Sequence, residues 1–207
     1  MSAGSKIGII DYGMGNLRSV SKAIEHLGGS VYVGSDVRAL FKCSKLVLPG
    51  VGAFGHAMKE LKKRKLIALI QKAARDGKKL LGICLGLQLF FERSAEDPKV
   101  KGLGLWPGSV LRFPRARKNL KIPHMGWNNV GLRKSCAITS GLKNNNYFYF
   151  VHSYYGKPKN KALIVGTTSY GINFPAILAS QNIFAVQFHP EKSQDAGLKI
   201  LKNFIRL

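Results

Sequence analysis

The chain has 207 residues, 45% of them hydrophobic, which is enough for one well-packed core and short for two domains. It has no apolar run of the ~18 residues a membrane span needs, no apolar signal-peptide core behind Met1, and three scattered cysteines (Cys43, Cys84, Cys136) that make no disulfide framework. A membrane protein and a disulfide-rich secreted scaffold are excluded, and a cytoplasmic chain is expected. The 33 Lys and Arg against 10 Asp and Glu give +23, but these residues run along the whole chain without interleaved aromatics or a nucleic-acid motif. No specific nucleic-acid partner is expected, and a solvated basic surface facing an acidic partner fits better.

In chain order, Ile7 to Ile10 is a short apolar run that predicts a buried strand. Asn16 can cap a helix with Leu17, Val20, Ile24 and Leu27 on one face, which Gly28-Gly29 stops. Val31 to Val33 and Leu46 to Leu48 predict the next strands, the latter ending in Pro49-Gly50-Val51-Gly52. Two helical stretches follow to about Gly77, with the dense basic cluster Lys62-Lys63-Arg64-Lys65 inside them. Leu80 to Ile83 predicts a fourth strand and Leu85 onward a helix, so the alternation argues for a parallel, doubly wound sheet. A second basic cluster (Arg112, Arg115, Arg117, Lys118, Lys121) opens a strand-rich half, in which Tyr147–Val151, Leu163–Thr167, Ala176–Ala179 and Phe184–Phe188 look extended. Gln194 to Arg206 predicts a closing helix. No repeat or linker divides the chain.

Gly82-Ile83-Cys84-Leu85-Gly86 stands where a buried strand hands over to a helix. The G-x-C-x-G spacing follows the logic of a nucleophile elbow: a sharp turn lifts the thiol clear, flanking glycines remove clashing side chains, and the helix N-terminus favours the thiolate. Cys84 alone could equally be a buried core cysteine, as Cys43 and Cys136 are read. His189 ends the apolar strand and precedes Pro190-Glu191. Residues two apart share one side of a strand, so Glu191 can orient the imidazole and leave its other nitrogen for Cys84. Alone, His-Pro-Glu could be a plain strand-ending turn.

Together, these motifs resemble the class I (triad) glutamine amidotransferases. The segments Asp11 to Leu17, Gly50 to Gly55, Ile122 to Asn128 and Phe150 to Tyr154 are similar, within that class, to the glutaminase subunits of imidazole glycerol phosphate synthases. The likeness covers the chain from Ile7 to the last helix. It implies one amidotransferase type 1 domain over 1–207, with a mostly parallel central sheet, helices on both faces and a strand-rich C-terminal half. It also implies that the Gly52 and Leu85 amides form an oxyanion hole, and that Gly50, Gln88, Glu96, His152, Ser153 and Tyr154 bind L-glutamine. Met125, Trp127, Asn128 and Lys192 would face a (β/α)₈ cyclase subunit in a heterodimer, and no cofactor or metal is required. Ammonia would pass to that partner in histidine biosynthesis, or, in a paralogous reading, to a sugar-modifying synthase of cell-surface polysaccharide biosynthesis.

Overall fold

A computed structural model of the chain describes residues 6–114 and 120–207, so Arg115, Arg117 and Lys118 of the second basic cluster lie outside the described residues, while Arg112 and Lys121 beside them are exposed. The first half runs β1 (Ile7–Ile10), α1 (Leu17–His26), β2 (Val31–Gly34), α2 (Val37–Lys42), β3 (Lys45–Gly50), α3 (Phe54–Lys63), α4 (Leu66–Arg75), β4 (Lys79–Cys84) and α5 (Leu85–Leu89). The second runs β5 (Phe91–Ser94), β6 (Trp106–Arg112), β7 (His124–Leu132), β8 (Asn146–His152), β9 (Tyr154–Pro158), β10 (Ile164–Tyr170), β11 (Ile172–Ser180), β12 (Ile183–Val186) and α6 (Gln194–Arg206).

Local chemistry sets the boundaries. Asn16 Oδ1 accepts from the Ser19 amide at 3.3 Å and caps α1, and Gly28 leaves that helix at φ 83°, a left-handed conformation that favours glycine. Asp36 caps α2 through the Ala39 amide at 2.7 Å. That helix has six residues, too few for a helical period to stand out in the sequence. Lys62 and Lys63 close α3, and Lys65 turns at φ 59° into α4. The first basic cluster is therefore a helix junction, with its cations at the negative end of the α3 dipole and Arg64 paired with Glu60.

Among the described residues, nine strands form one sheet in the order β2-β1-β3-β4-β12-β11-β10-β7-β8. Pairing is parallel from β2 to β12 and antiparallel from β12 to β8. The period-two alternation of the parallel strands sends side chains into two cores. Val47, Leu81, Ile83 and Val186 join Val20 and Ile24 of α1 and Ile200, Leu201 and Phe204 of α6 on one face. Leu46, Leu48, Leu80 and Ala185 join Met58 and Leu61 of α3 and Leu69 and Ile70 of α4 on the other.

Two features differ from the sequence expectation. A small second sheet, β5-β6-β9, packs beside the first; Pro107 and Gly108 inside β6 conceal that strand. The segment from His124 is also a strand, β7, and it turns Met125 and Trp127 outward, at 63% and 47% exposure. Its apolar alternation faces solvent, which hides it from a polar-out pattern.

The α5 backbone is pressed onto β3. A Cβ on Gly86 would run into the Leu48 carbonyl oxygen, and one on Gly82 would lie 2.8 Å from the Phe90 ring. Gly86→Ala meets backbone, not a flexible side chain, so it should cost at least the upper end of the ~1–3 kcal/mol typical of overpacking. A urea midpoint equal to that of the parent would contradict this packing.

Candidate active site

β4 delivers Cys84 to the top of the parallel half, paired in register with Gly50 of β3. Cys84 itself adopts φ 55° and ψ −107°, a conformation costly for any residue with a side chain. This is the sharp strand-to-helix turn expected of the elbow. α5 behind it is short, ending at Leu89. The side chain is 5% exposed, and its Sγ lies 3.9 Å from the Val151 carbonyl oxygen and 3.9 Å from the Gln187 amide nitrogen.

His189 and Glu191 are brought together, but not by a strand. β12 ends at Val186, and Pro190–Lys192 form a short 3₁₀ turn that swings Glu191 Oε1 to 2.8 Å from His189 Nδ1. The His189 backbone is fixed at both ends: its amide donates to the Tyr149 carbonyl at 2.9 Å, and its carbonyl accepts from Ser193 Oγ at 2.6 Å. With Nδ1 committed to the carboxylate, Nε2 is buried and has no hydrogen-bond partner among the described residues. Burial opposes a charge on this ring, but the nearness of Cys84 and the hydrogen bond to Glu191 outweigh it and push the imidazole up to about 10.

The elbow opens on a cavity of about 400 Å³ lined by Gly52, Cys84, Leu85, Gln88, Glu96, His152, Ser153 and Tyr154, together with Val51, Pro123 and Val151. Gly50 lies beneath it, where a Cβ would strike the Tyr12 hydroxyl; that hydroxyl donates to the Pro49 carbonyl at 3.0 Å. Gly52 sits at φ 97° in the turn above. Glu96 Oε2 accepts from the Phe54 amide at 2.8 Å, capping α3, whose Ala53 N-cap has no side-chain donor or acceptor to do so. Gln88 Nε2 donates to the Tyr154 carbonyl at 2.9 Å and to Gln187 Oε1 at 3.3 Å, tying α5 to the opposite wall. That wall is held by a chain of neutral donors: His152 Nδ1 donates to the Tyr154 carbonyl (2.9 Å), His124 Nδ1 to His152 Nε2 (3.0 Å), and Asn128 Nδ2 to His124 Nε2 (3.2 Å). Among the described residues no cluster of His, Cys, Asp or Glu is arranged to hold a metal ion.

The glutamine amidotransferase class-I family matches residues 8–207. This chain belongs to that family. It is 49% identical to the imidazole glycerol phosphate synthase subunit HisH of Methanocaldococcus jannaschii, over 97% of this chain and 99% of that one. It is also 49% identical to the HisH subunit of Aquifex aeolicus over 96% and 95%, and 50% identical to that of Aromatoleum aromaticum over 97% and 98%. A solved glutamine amidotransferase structure shares the fold, with TM-score 0.75 at 18% identity over 97% of this chain and 99% of the other.

The residues expected to face a partner of this amidotransferase divide. Met125 and Trp127 are exposed on one face of β7, Trp127 meets Tyr149 edge-on at 6.1 Å, and Lys192 Nζ lies 5.8 Å over the Tyr149 ring. The Asn128 amide turns inward instead, onto His124 and the Ser169 carbonyl, because alternation along the strand sends it to the core side. Sequence reasoning missed Tyr12, Ser193 and Gln187. Gln187, a polar residue inside the apolar run from Phe184 to Phe188, carried a readable signal.

The histidine pair gives a pH dependence. Unfolded, each imidazole binds a proton near pH 6.5. Folded, burial keeps His124 neutral to about 4, and burial above all, against its hydrogen bond to Tyr154, keeps His152 neutral to about 3. The unfolded chain binds more protons in that window, so stability falls as pH falls through it. The urea midpoint should drop more between about pH 7.5 and pH 5 for the parent than for His124→Asn; equal drops would remove the pair as the cause.

Proposed function

We propose that this chain is the glutaminase subunit of an imidazole glycerol phosphate synthase, hydrolysing L-glutamine and handing the ammonia to a (β/α)₈ cyclase subunit that makes imidazole glycerol phosphate and aminoimidazole carboxamide ribotide. One observation carries the chemistry: the strained Cys84 opens on the cavity beside a histidine whose Nε2 is unpartnered and whose Nδ1 is held by Glu191. The choice of synthase rests on relatives 46–50% identical over nearly the whole chain, all named HisH; it favours histidine biosynthesis over sugar modification. Three unpaired cysteines and the absence, among the described residues, of any helix long and apolar enough to cross a membrane support a cytoplasmic location.

In the proposed reaction, the Cys84 thiolate attacks the side-chain amide carbon of glutamine. The oxyanion is met by the Gly52 and Leu85 amides, each worth on the order of 2.7–4 kcal/mol. His189 protonates the departing ammonia, then takes a proton from the water that hydrolyses the glutamyl thioester. Glu191 keeps the ring in one tautomer. Glu96, with one oxygen on α3, offers the other to the substrate ammonium, while Gln88 and His152 to Tyr154 fix the walls.

Cys84→Ala should abolish glutamine-dependent synthesis by the complex and leave synthesis from ammonium salts intact, because the cyclase consumes ammonia itself. Glutamine hydrolysis surviving in Cys84→Ala would sink the assignment. At the exposed β7 face, Trp127→Ala should weaken the complex by about 2 kcal/mol, roughly 30-fold in Kd, as for a buried aromatic anchor. Titration calorimetry giving the parent affinity would move the interface elsewhere.

A further inference from the structure

Gln187 is completely buried, and neither its position nor its amide is explained by packing alone. It follows β12, which pairs in parallel with β4 through Ala185↔Gly82 and Val186↔Ile83. The register continued by one residue sets Gln187 beside Cys84. A buried primary amide is costly unless its donors and acceptor are used. Here Oε1 accepts from Gln88 Nε2 at 3.3 Å, and Nε2 points at Cys84 Sγ, 3.9 Å away.

The orientation of that amide is determined by its neighbours. Gln88 spends one amide hydrogen on the Tyr154 carbonyl at 2.9 Å and the other on Gln187. Flipping Gln187 would set two amino groups against each other and an oxygen against the sulfur. Only the observed orientation satisfies both contacts, so Gln88 aims the Gln187 N–H at the thiol.

We infer that Gln187 is a positioning residue that stabilises the Cys84 thiolate by donating its side-chain N–H to Sγ, with Gln88 holding the amide in that orientation. The other neutral contact of the sulfur is the Val151 carbonyl oxygen at 3.9 Å, an acceptor. It suits the S–H form and repels the thiolate. Gln187 has the opposite preference, and it keeps that preference when His189 is neutral. In hydrolysis of the thioester the C–S bond breaks and its electron pair returns to sulfur. At that step water has given its proton to His189, and Gln187 meets the charge forming on the leaving thiolate. Gln187 is needed there as well as before attack.

The inference rests on Cys84 being the nucleophile, and its test reads Cys84 directly. The full-length chain is alkylated with iodoacetamide across a pH series, and peptide mass spectrometry separates Cys84 from Cys43 and Cys136. Glutamine hydrolysis by the complex with the cyclase is followed in parallel. Gln187→Leu, which removes the donor, should raise the alkylation midpoint of Cys84 by about one pH unit, the scale of one hydrogen bond to a charged group. Gln187→Glu, which keeps the shape and the acceptor for Gln88 but turns an oxygen toward sulfur, should raise it further. In both variants hydrolysis should fall several-fold near neutrality and recover toward the parent rate in alkali. An unmoved midpoint in either folded variant overturns the inference, even with activity lost, because Gln187 would then serve packing alone. Parent protein that alkylates with the expected profile but hydrolyses no glutamine would instead defeat the glutaminase reading and leave the thiolate donor standing.

Discussion

Cys84 turns the chain from β4 into α5 at φ 55° and ψ −107°, and the surrounding structure is arranged to hold it there. A residue in such a region carries on the order of 1–3 kcal/mol of strain, which persists only when its neighbours leave no alternative. β4 is hydrogen-bonded on both sides, to β3 and to β12, so the strand cannot slide. Gly86 seats α5 against the Leu48 carbonyl, closer than any other residue would allow. His189 is fixed with similar redundancy, through backbone bonds to Tyr149 and Ser193 and a side-chain bond to Glu191. Cys84 ends β4 and His189 follows just beyond the end of its parallel neighbour β12, which brings residues about a hundred apart in sequence to the same edge of one sheet.

That arrangement explains what the sequence disclosed. Buried parallel strands are short apolar runs, so β1, β3, β4 and β12 could be read directly, and so could the glycines around Cys84. The pairing of His189 with Glu191 was also legible, although by the wrong geometry: a 3₁₀ turn, not a strand, returns the carboxylate. The walls of the cavity were not legible from residues alone. Glu96 matters because it caps α3 from beyond β5, and His124 matters because β7 pairs with β8 and sets it opposite His152. Such contacts depend on register between distant strands, which local patterns do not encode. The motif around Asn128 likewise says nothing about which side of β7 its side chain occupies.

The excess of positive charge finds little compensation within the fold. Lys22–Glu25, Lys72–Asp76 and Lys159–Glu92 are exposed pairs, of a kind worth at most ~1 kcal/mol each. Glu96 and Glu191 are turned inward to α3 and His189. Stability therefore comes from the two apolar cores and the sheet between them, and the cations remain on the surface as a long-range field.

Glu96 joins two events that are usually considered separately. Its Oε2 holds the Phe54 amide, the first residue of α3, and Phe54 directly follows the Val51-Gly52-Ala53 turn that roofs the cavity. A cation arriving at the same carboxylate draws charge away from that amide, so its affinity is thermodynamically linked to the placement of the turn. Linkage of this kind is reciprocal. With the glutamine ammonium proposed for this carboxylate, whatever shifts the turn alters that hold by the same factor, and substrate occupancy and the shape of the cavity roof become a single equilibrium.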